Sequence, residues 1–227
     1  MNLKRVTVFT GHYGSGKTSI ALAYARMLRA FGKEVTIGDM DIVNPYFRTA
    51  DGKEELEAQG IELVCSPFAN SNLDLPALPK ELYRAVTDKS RYAVLDVGGD
   101  DRGAVALGRF APDILAEGDY EVAFVVNLYR PLTKDAGSAA QVLREVERAG
   151  GLRCTGLINN SNLGAATRGA DVLATGERME ELMRLTGLPL LFTACKAALA
   201  AELSEAPGEL FPLKPLQAPG LGASGPG

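Results

Sequence analysis

Residues 11–18, GHYGSGKT, follow the spacing G-x-x-x-x-G-K-[ST], which is typical of loops that bind phosphate groups. Glycines such as Gly14 and Gly16 allow a tight turn, so that successive backbone N–H groups point at one anion. In this pattern Lys17 reaches the β- and γ-phosphates of a nucleotide, and the Thr18 hydroxyl binds Mg²⁺. The pattern predicts a phosphate site if a strand precedes the loop and a helix follows it.

The flanking sequence has this arrangement. Residues 5–10, RVTVFT, are a short β-branched and aromatic run of the kind found in buried strands. After the loop, apolar residues recur at helical spacing, at Ile20, Tyr24, Met27, Leu28 and Phe31. Gly32 and Lys33 predict the end of this helix. Because a helix N-terminus adds its positive end to an anion site, the whole segment predicts nucleoside triphosphate binding.

The composition excludes several classes of protein. The chain of 227 residues is long enough for one large domain or two small ones, and its 46% apolar and 23% charged residues are ordinary for a soluble protein. A net charge of −4 and a pI near 5.2 argue against broad nucleic-acid binding through a basic face. No apolar run approaches the roughly 20 residues needed to cross a bilayer, so no membrane association is expected.

Histidine and cysteine are too sparse for a zinc or nickel site. His12 is the only histidine, and Cys65, Cys154 and Cys195 lie far apart with no C-x-x-C pair. Cysteines within apolar runs usually behave as small buried hydrophobic residues. The first residues, MNLKRVTVFTG, lead directly into the predicted strand without a signal-peptide pattern. Together these features predict a cytoplasmic protein.

Apolar runs and helical patterns alternate along the chain. Strands are predicted near residues 5–10, 34–39, 61–65, 91–96, 121–127, 153–159 and 188–193. Helices are predicted near residues 17–31, 52–59, 77–88, 102–116, 133–149, 168–186 and 196–205. The strands are short and almost entirely apolar, which is typical of strands covered on both faces. The alternation predicts a three-layer α/β fold, with a mostly parallel sheet of about seven strands and helices on both faces. With the glycine loop after its first strand, this is the expected P-loop NTPase fold.

The predicted nucleotide-binding domain covers residues 1–206, and residues 207–227 form a separate segment rich in Pro and Gly. This segment has no hydrophobic period, and its last ten residues are expected to be disordered. In open parallel sheets, ligands bind at the carboxyl ends of the strands. The glycine loop and the carboxylate motifs all follow predicted strands, which indicates one common site.

Three aspartates are candidates for the metal side of this site, because phosphoryl transfer needs a cation on the phosphate oxygens. Asp96 ends the apolar run 92–96, YAVLD, and is followed by Val97 and two glycines, as in a Walker B strand whose aspartate holds Mg²⁺ through water. Asp39 and Asp41 end the second strand two residues apart, so their side chains share one face. Two carboxylates on one face repel each other unless a cation lies nearby.

The order of glycine loop, D-x-D and D-x-G-G resembles the MinD/ParA class of P-loop ATPases and the related nucleotide-binding domains of cobyrinic-acid amidases. The segments GHYGSGKT, DMDIVNPYFR, DVGGDDRGAVALG and VVNLYRP carry the resemblance, which covers roughly residues 4–205. The glycine loop is generic, whereas DIVNPYFR and DVGGDDRGA are more specific to one branch of the class.

The resemblance implies a role for each matching position. Asp41 would position or activate the attacking water, Asp39 would lie on the magnesium side, and Asp96 would be the Walker B residue. Asn159 would touch adenine, because its amide can both donate and accept, although a turn that ends the strand would also explain Asn159 and Asn160. Lys17 and Asp41 would be the catalytic residues. The implied nucleotide-binding loop consists of Gly11, His12, Tyr13, Gly14, Ser15, Gly16, Lys17, Thr18 and Ser19.

The chain departs from the family pattern at His12. MinD and ParA proteins have a lysine at this position, which reaches across a homodimer that forms when ATP binds. A neutral imidazole cannot supply that charge at pH 7. A homodimer of this kind would need another cation, and the candidates near strand ends are Arg48, Arg102 and Arg130. The basic amphipathic membrane helix of MinD is also missing from the Pro- and Gly-rich tail.

Residues 44–48, NPYFR, follow the D-x-D motif and combine two aromatic residues, a proline and an arginine. One interpretation is a switch whose position depends on the γ-phosphate. The other is a segment whose aromatic rings pack on the next helix.

The residues favour an Mg²⁺-dependent ATPase that hydrolyses ATP to ADP and phosphate and thereby switches a conformation or an unknown protein partner. A small-molecule kinase or ATP-dependent synthetase would need clustered arginines, whereas those present are scattered, at Arg84, Arg91, Arg102 and Arg109. A metallochaperone GTPase would need His or Cys ligands and an N/T-K-x-D guanine motif, and the sequence has neither. A nucleotide-binding scaffold without turnover is the remaining alternative.

Overall fold

The structure is a computed structural model that describes residues 2–40, 50–65, 80–99 and 101–214. Within these ranges the strands are β1 (Val6–Thr10), β2 (Val35–Met40), β3 (Ile61–Cys65), β4 (Tyr92–Val97), β5 (Tyr120–Val126), β6 (Gly156–Asn159), β7 (Leu190–Lys196) and β8 (Leu210–Leu213). The α-helices are α1 (Lys17–Ala30), α2 (Ala50–Ala58), α3 (Lys80–Thr87), α4 (Asp101–Gly108), α5 (Ala111–Glu117), α6 (Ala136–Gly150), α7 (Gly169–Leu173) and α8 (Gly176–Thr186). Short 3₁₀ segments cover Pro131–Thr133, Gly164–Ala166 and Ala197–Glu202.

The described strands form one parallel sheet in the order β3-β2-β4-β1-β5-β6-β7-β8. The chain runs outward from β1 to β2 and β3 on one side, returns to β4, and then continues from β5 to β8 on the other side. The carboxyl ends of β1, β4 and β5 therefore meet where the direction of winding reverses. Open α/β sheets bind their ligands at this point.

Both faces of the sheet are apolar and covered. Alternate residues of the central strands point to opposite sides, so Val8 and Phe124 pack toward α3, α4, α5, α6 and α8. Phe9 and Val125 point the other way and pack toward α1 and α2. This arrangement confirms the predicted three-layer α/β fold. None of the helices in the described ranges is long and apolar enough to cross a membrane.

Two of the predicted helices are each interrupted in the structure. The region 102–116 forms α4 and α5, because Pro112 lies in the first turn of α5 and has no N–H with which to continue the preceding helix. The region 168–186 forms α7 and α8, which are separated at Ala174 and Thr175. The predicted helix 196–205 is the 3₁₀ segment Ala197–Glu202.

Over the described residues, the sheet has one strand more than the seven predicted. β8 lies beyond residue 206, the end of the predicted domain, and pairs in parallel with β7. Its Phe211 is buried, with the ring centroid 4.7 Å from that of Phe192. The predicted disorder of the last ten residues, 218–227, concerns a part of the chain outside the described residues.

The amino-terminal edge of the sheet, opposite the expected site, is held together by Arg5. Its buried guanidinium forms an ion pair with the carboxylate of Glu117. It also donates to three backbone carbonyl groups, those of Val86, Asp88 and Arg91. The hydrogen bond from Arg5 holds the pKa of the Glu117 carboxyl below its usual value.

The free energy of unfolding should therefore decrease as the pH falls below 4.5, the ordinary pKa of a glutamate. Because the pKa of Glu117 is lowered in the folded state, its contribution is complete above that value and is lost as the pH falls through the folded pKa. Urea unfolding from neutral to acidic pH checks this for the wild type and for Glu117→Gln. The variant should lose stability less steeply with acid, and equal slopes would contradict the assignment.

Candidate nucleotide-binding site

The glycine loop connects β1 to α1, as the motif requires. Gly11, Gly14 and Gly16 all have positive φ angles, of 141°, 75° and 88°. Gly16 directly precedes α1, and a Cβ atom there would lie 2.3 Å from Nδ2 of Asn160. The loop therefore turns into the helix so tightly that only glycine fits, and its N–H groups come close to the helix N-terminus.

Lys17 and Thr18 are the first two residues of α1 and point to different partners. The Lys17 side chain is buried, and its Nζ donates to the carbonyl oxygen of His12 at 3.2 Å. The Thr18 hydroxyl donates to Oδ2 of Asp96 at 2.6 Å. The first turn of α1 contains no acidic residue of its own, and the helix N-terminus adds positive potential to the loop. These features suit an anion bound beside a cation.

Two buried carboxylates face this helix end from neighbouring strands. Asp39 on β2 and Asp96 on β4 are paired in register, so their side chains lie side by side on one face of the sheet. They are 1% and 0% exposed. Carboxylate and hydroxyl oxygens are the ligands that Mg²⁺ prefers, and the set formed by Asp39, Asp96 and Thr18 fits this ion.

A magnesium ion at this position would also need ligands from outside the protein. Among the described residues, no group of three or more His, Cys, Asp or Glu side chains could hold a metal. Mg²⁺ commonly takes one or two carboxylates together with phosphate oxygens and water. Asp41 and the segment 44–48, to which the sequence analysis gave roles, lie outside the described residues.

The chain after β4 packs directly on the glycine loop. A Cβ atom at Gly99 would lie 2.4 Å from the backbone nitrogen of Tyr13 and 2.7 Å from the carbonyl carbon of His12. Only a glycine allows this approach. The D-x-G-G motif therefore places Asp96 beside Thr18 and also brings the following residues against the loop.

Asn159, the last residue of β6, and Asn160, which follows it, have different hydrogen-bond partners. Asn159 is fully buried, donates to Oγ1 of Thr175 at 3.0 Å and accepts from the backbone N–H of Ser161 at 3.1 Å. Its amide is thus bonded within the protein, and the contact with adenine stays a prediction. Asn160 instead reaches the glycine loop, where its Nδ2 donates to the carbonyl oxygen of Ser15 at 2.7 Å. The bond from the Ser161 N–H to the Asn159 side chain is that of a turn at the end of a strand, the other interpretation of these residues.

Arg130, which follows β5, reaches the loop from the other side. Its Nε donates to the carbonyl oxygen of Gly14 at 3.0 Å. Arg130 and the loop border an open cavity of about 740 Å³. The residues lining this cavity are His12, Tyr13, Gly14, Gly16, Lys17, Thr18, Ser19, Arg130, Pro131 and Leu132. Seven of the nine predicted loop residues therefore border one cavity, all but Gly11 and Ser15, and Arg130 adds a second cation to the lining that contains Lys17.

His12 lines the cavity, and its ring is held by the loop backbone. Its Nδ1 lies 2.9 Å from the carbonyl oxygen of Tyr13, and since a carbonyl only accepts, this nitrogen carries the proton. Tyr13 is 63% exposed at the mouth of the cavity. Of the three arginines considered as substitutes for the family lysine, the structure brings Arg130 to the loop. Arg48 and the side chain of Arg102 lie outside the described part of the chain.

No family model matches the sequence, and comparison with curated proteins also gives no match. Solved structures do resemble it. The cell division protein FtsY of Thermotoga maritima is 18% identical with a TM-score of 0.57, over 83% of this chain and 60% of that protein. The signal recognition particle receptor FtsY of Elizabethkingia anophelis, in complex with GDP, is 16% identical with a TM-score of 0.51, over 86% of this chain and 57% of that protein.

The signal recognition particle 54 kDa protein of Aeropyrum pernix K1, also in complex with GDP, is 18% identical with a TM-score of 0.51, over 82% of this chain and 40% of that protein. This chain thus spans about three fifths or less of each neighbour's length. At these identities the likeness concerns the fold alone. Together with the loop geometry, it places the chain in the class of α/β proteins with a P-loop NTPase fold.

Proposed function

We propose that this protein binds ATP with Mg²⁺ and hydrolyses it to ADP and phosphate, as a MinD/ParA-like P-loop ATPase that switches a conformation or a protein partner. One observation carries the proposal: the Thr18 hydroxyl contacts Asp96 at 2.6 Å, directly beside a buried Lys17 in the glycine loop. In such a site, Thr18 and Asp96 would bind the cation and Lys17 would bind the phosphates, and both groups lie at the first turn of α1.

Each group of the loop has a task when the phosphates are bound. The loop N–H groups and the N-terminus of α1 bind phosphate oxygens. Lys17 exchanges the carbonyl oxygen of His12 for oxygens of the β- and γ-phosphates. Thr18, Asp39 and Asp96 would hold Mg²⁺, which when bound neutralises charge on the phosphate oxygens. Asp41 positions the water that attacks the γ-phosphate.

The switching role is supported by the contact between Gly99 and Tyr13. A segment after β4 that senses the γ-phosphate would lie against the loop backbone, so a shift of the loop toward it would displace it. The close approach therefore links occupancy of the phosphate site to the surface that follows β4.

The proposal of ATP rests on the sequence at the end of β6 and directly after it. Residues 159–162, NNSN, lack the lysine–aspartate pair of a guanine motif. Two of the structures with a similar fold contain GDP, and GTP is therefore the second candidate. The two nucleotides differ only in the base, so a direct comparison separates them.

Phosphate release from ATP and from GTP, each with Mg²⁺ or with EDTA, tests the proposal. Size-exclusion chromatography with light scattering on the same samples, with ADP or a slowly hydrolysed ATP analogue, reports the oligomeric state. We expect Mg²⁺-dependent release from ATP and a change of assembly only with the triphosphate analogue. Binding without release and without a change of assembly would favour a kinase or a scaffold. Absence of any nucleotide binding would contradict the proposal.

Asp41→Ala should retain its affinity for Mg-ATP and lose phosphate release by about 100-fold, because a residue that orients or deprotonates water contributes roughly this factor. Equilibrium binding of a fluorescent ATP analogue and steady-state phosphate release measure the two effects separately. Asp41→Asn is the matched variant, since it keeps the size of the side chain and removes only its charge. It should lose phosphate release as well if the charge of Asp41 acts on the water. If affinity is lost instead, Asp41 is a metal-binding or structural residue.

A further inference from the structure

Arg130 is the charged residue of the site to which the proposed mechanism gives no task. It is exposed, lines the same cavity as Lys17, and donates from Nε to the carbonyl oxygen of Gly14. A Cβ atom at Gly14 would lie 3.4 Å from this Nε, so the guanidinium rests against the loop itself. A permanent positive charge is thus placed on the rim of a phosphate-binding loop.

The backbone of Arg130 is fixed by Asn127, which is fully buried after β5. The carbonyl oxygen of Asn127 accepts from the N–H of Arg130 at 3.0 Å and from the Thr133 hydroxyl at 2.7 Å. Its side-chain oxygen accepts from the N–H groups of Tyr129 and Asn162 at 3.0 and 3.2 Å. These bonds connect the segment after β5 to the one after β6.

The segment is also held from outside by α7 and α8. The Tyr129 hydroxyl donates to the carbonyl oxygen of Asp171 at 2.7 Å. Arg178 donates to the carbonyl oxygen of Lys134 at 3.0 Å, and its guanidinium lies 5.6 Å from the centre of the Tyr129 ring. Arg130 is therefore carried by a preorganised segment, and little entropy is lost when its side chain engages a ligand.

The sheet order places Arg130 and the metal-binding residues on opposite sides of the loop. β1, which carries the loop, lies between β4 and β5. Asp96 comes from β4 and Arg130 from the chain after β5. In the structure, Lys17 is held by the carbonyl oxygen of His12 and Arg130 by that of Gly14. Phosphates bound on the loop would therefore have Mg²⁺ on one side and Arg130 on the other.

We propose that Arg130 is a phosphate-binding residue that neutralises the nucleotide oxygens turned away from Asp96. The inference rests on the proposed function and adds a contact to its site. With Nε on the loop carbonyl, the two terminal nitrogens can form a paired contact with phosphate oxygens. The segment after β5 thereby becomes part of the nucleotide site.

Affinity for fluorescent ATP and ADP analogues with Mg²⁺ should be measured for the full chain and for Arg130→Gln and Arg130→Lys. Glutamine can still donate to the Gly14 carbonyl but has no charge, whereas lysine keeps the charge. We expect Arg130→Gln to weaken binding by about 10- to 100-fold, as for loss of a charge-assisted pair, and Arg130→Lys to recover part of it. The melting temperatures of both variants should match the wild type.

Arg184→Gln is the matched control and should leave affinity unchanged. Arg184 is exposed in the last turn of α8, near the amino ends of the strands and away from the loop. Equal affinity of wild type and Arg130→Gln would overturn the inference and leave the proposed function intact. The inference would also be overturned if Arg130→Lys bound more weakly than Arg130→Gln and had a lowered melting temperature. The hydrogen bond to the Gly14 carbonyl, and not the charge, would then be what matters, and Arg130 would only tether the loop. A folded wild type that binds neither analogue would contradict both the inference and the proposed function.

Discussion

Lys17→Ala is expected to lower kcat/KM for ATP by about 1,000-fold and to weaken nucleotide binding to the point where saturation is not reached. Removing one donor that stabilises transition-state charge costs about 10²–10³ in rate. A lost charge-assisted bond to the bound phosphates adds to this in the ground state. Because Lys17 is 5% exposed, its charge acts in a poorly screened environment, which raises both effects.

Steady-state phosphate release and equilibrium binding of a fluorescent ATP analogue measure this prediction. Lys89→Ala is the control, because Lys89 is highly exposed at the amino-terminal edge of the sheet, before β4, and should leave both quantities unchanged. Circular dichroism must confirm that Lys17→Ala is folded, since the substitution also removes the contact with His12. Wild-type affinity and turnover in a folded Lys17→Ala protein would show that the loop is not the nucleotide site.

Asp96→Asn is expected to reduce Mg²⁺-dependent phosphate release by about 1,000-fold without destabilising the protein. Asparagine keeps the shape of the side chain and an oxygen that can accept from the Thr18 hydroxyl. It lacks the negative charge that a carboxylate offers to Mg²⁺, and loss of a metal that neutralises phosphate charge is among the largest single effects in catalysis. The substitution also removes one of two adjacent buried carboxylates, which relieves repulsion from Asp39.

The measurement is phosphate release over a titration of Mg²⁺, together with the melting temperature of the ligand-free protein. The variant should require much more Mg²⁺ for the little activity that remains, and its melting temperature should equal or exceed that of the wild type. Glu180→Gln, which neutralises an exposed carboxylate on α8, should change neither. Unchanged Mg²⁺ dependence would remove Asp96 from the metal side of the site.

The fold could be predicted because its strands are recognisable one at a time. Most of the first seven are largely apolar runs bounded by polar residues, and a strand buried on both faces can be recognised from its own residues. β8 was not predicted, because Leu210–Leu213 is short, contains Pro212 and lies within a stretch rich in Pro and Gly. Proline is tolerated there because β8 is the last strand of the sheet, which only the pairing with β7 reveals.

In the site, too, features encoded in a short stretch of sequence could be predicted, and contacts between distant elements could not. The loop 11–18 and the end of β4 carry their roles in local spacing, so the contact between Thr18 and Asp96 could be anticipated. The contact of Asn160 with Ser15 joins positions 145 residues apart, and no local pattern indicates it. Likewise, no local pattern indicates that the Asn159 amide donates to Thr175, at the break between α7 and α8. Such pairings depend on how distant elements pack and not on the residues that surround them in the chain.

β8 also determines where this chain can be shortened. A protein truncated at residue 206 would leave the outer side of β7 with a row of unpaired N–H and C=O groups, a template on which other chains can add a strand. It would also uncover Phe192, which Phe211 now covers. Such a protein should aggregate. The unit to express therefore extends at least through Leu213, and an affinity tag or fluorescent label belongs beyond that residue.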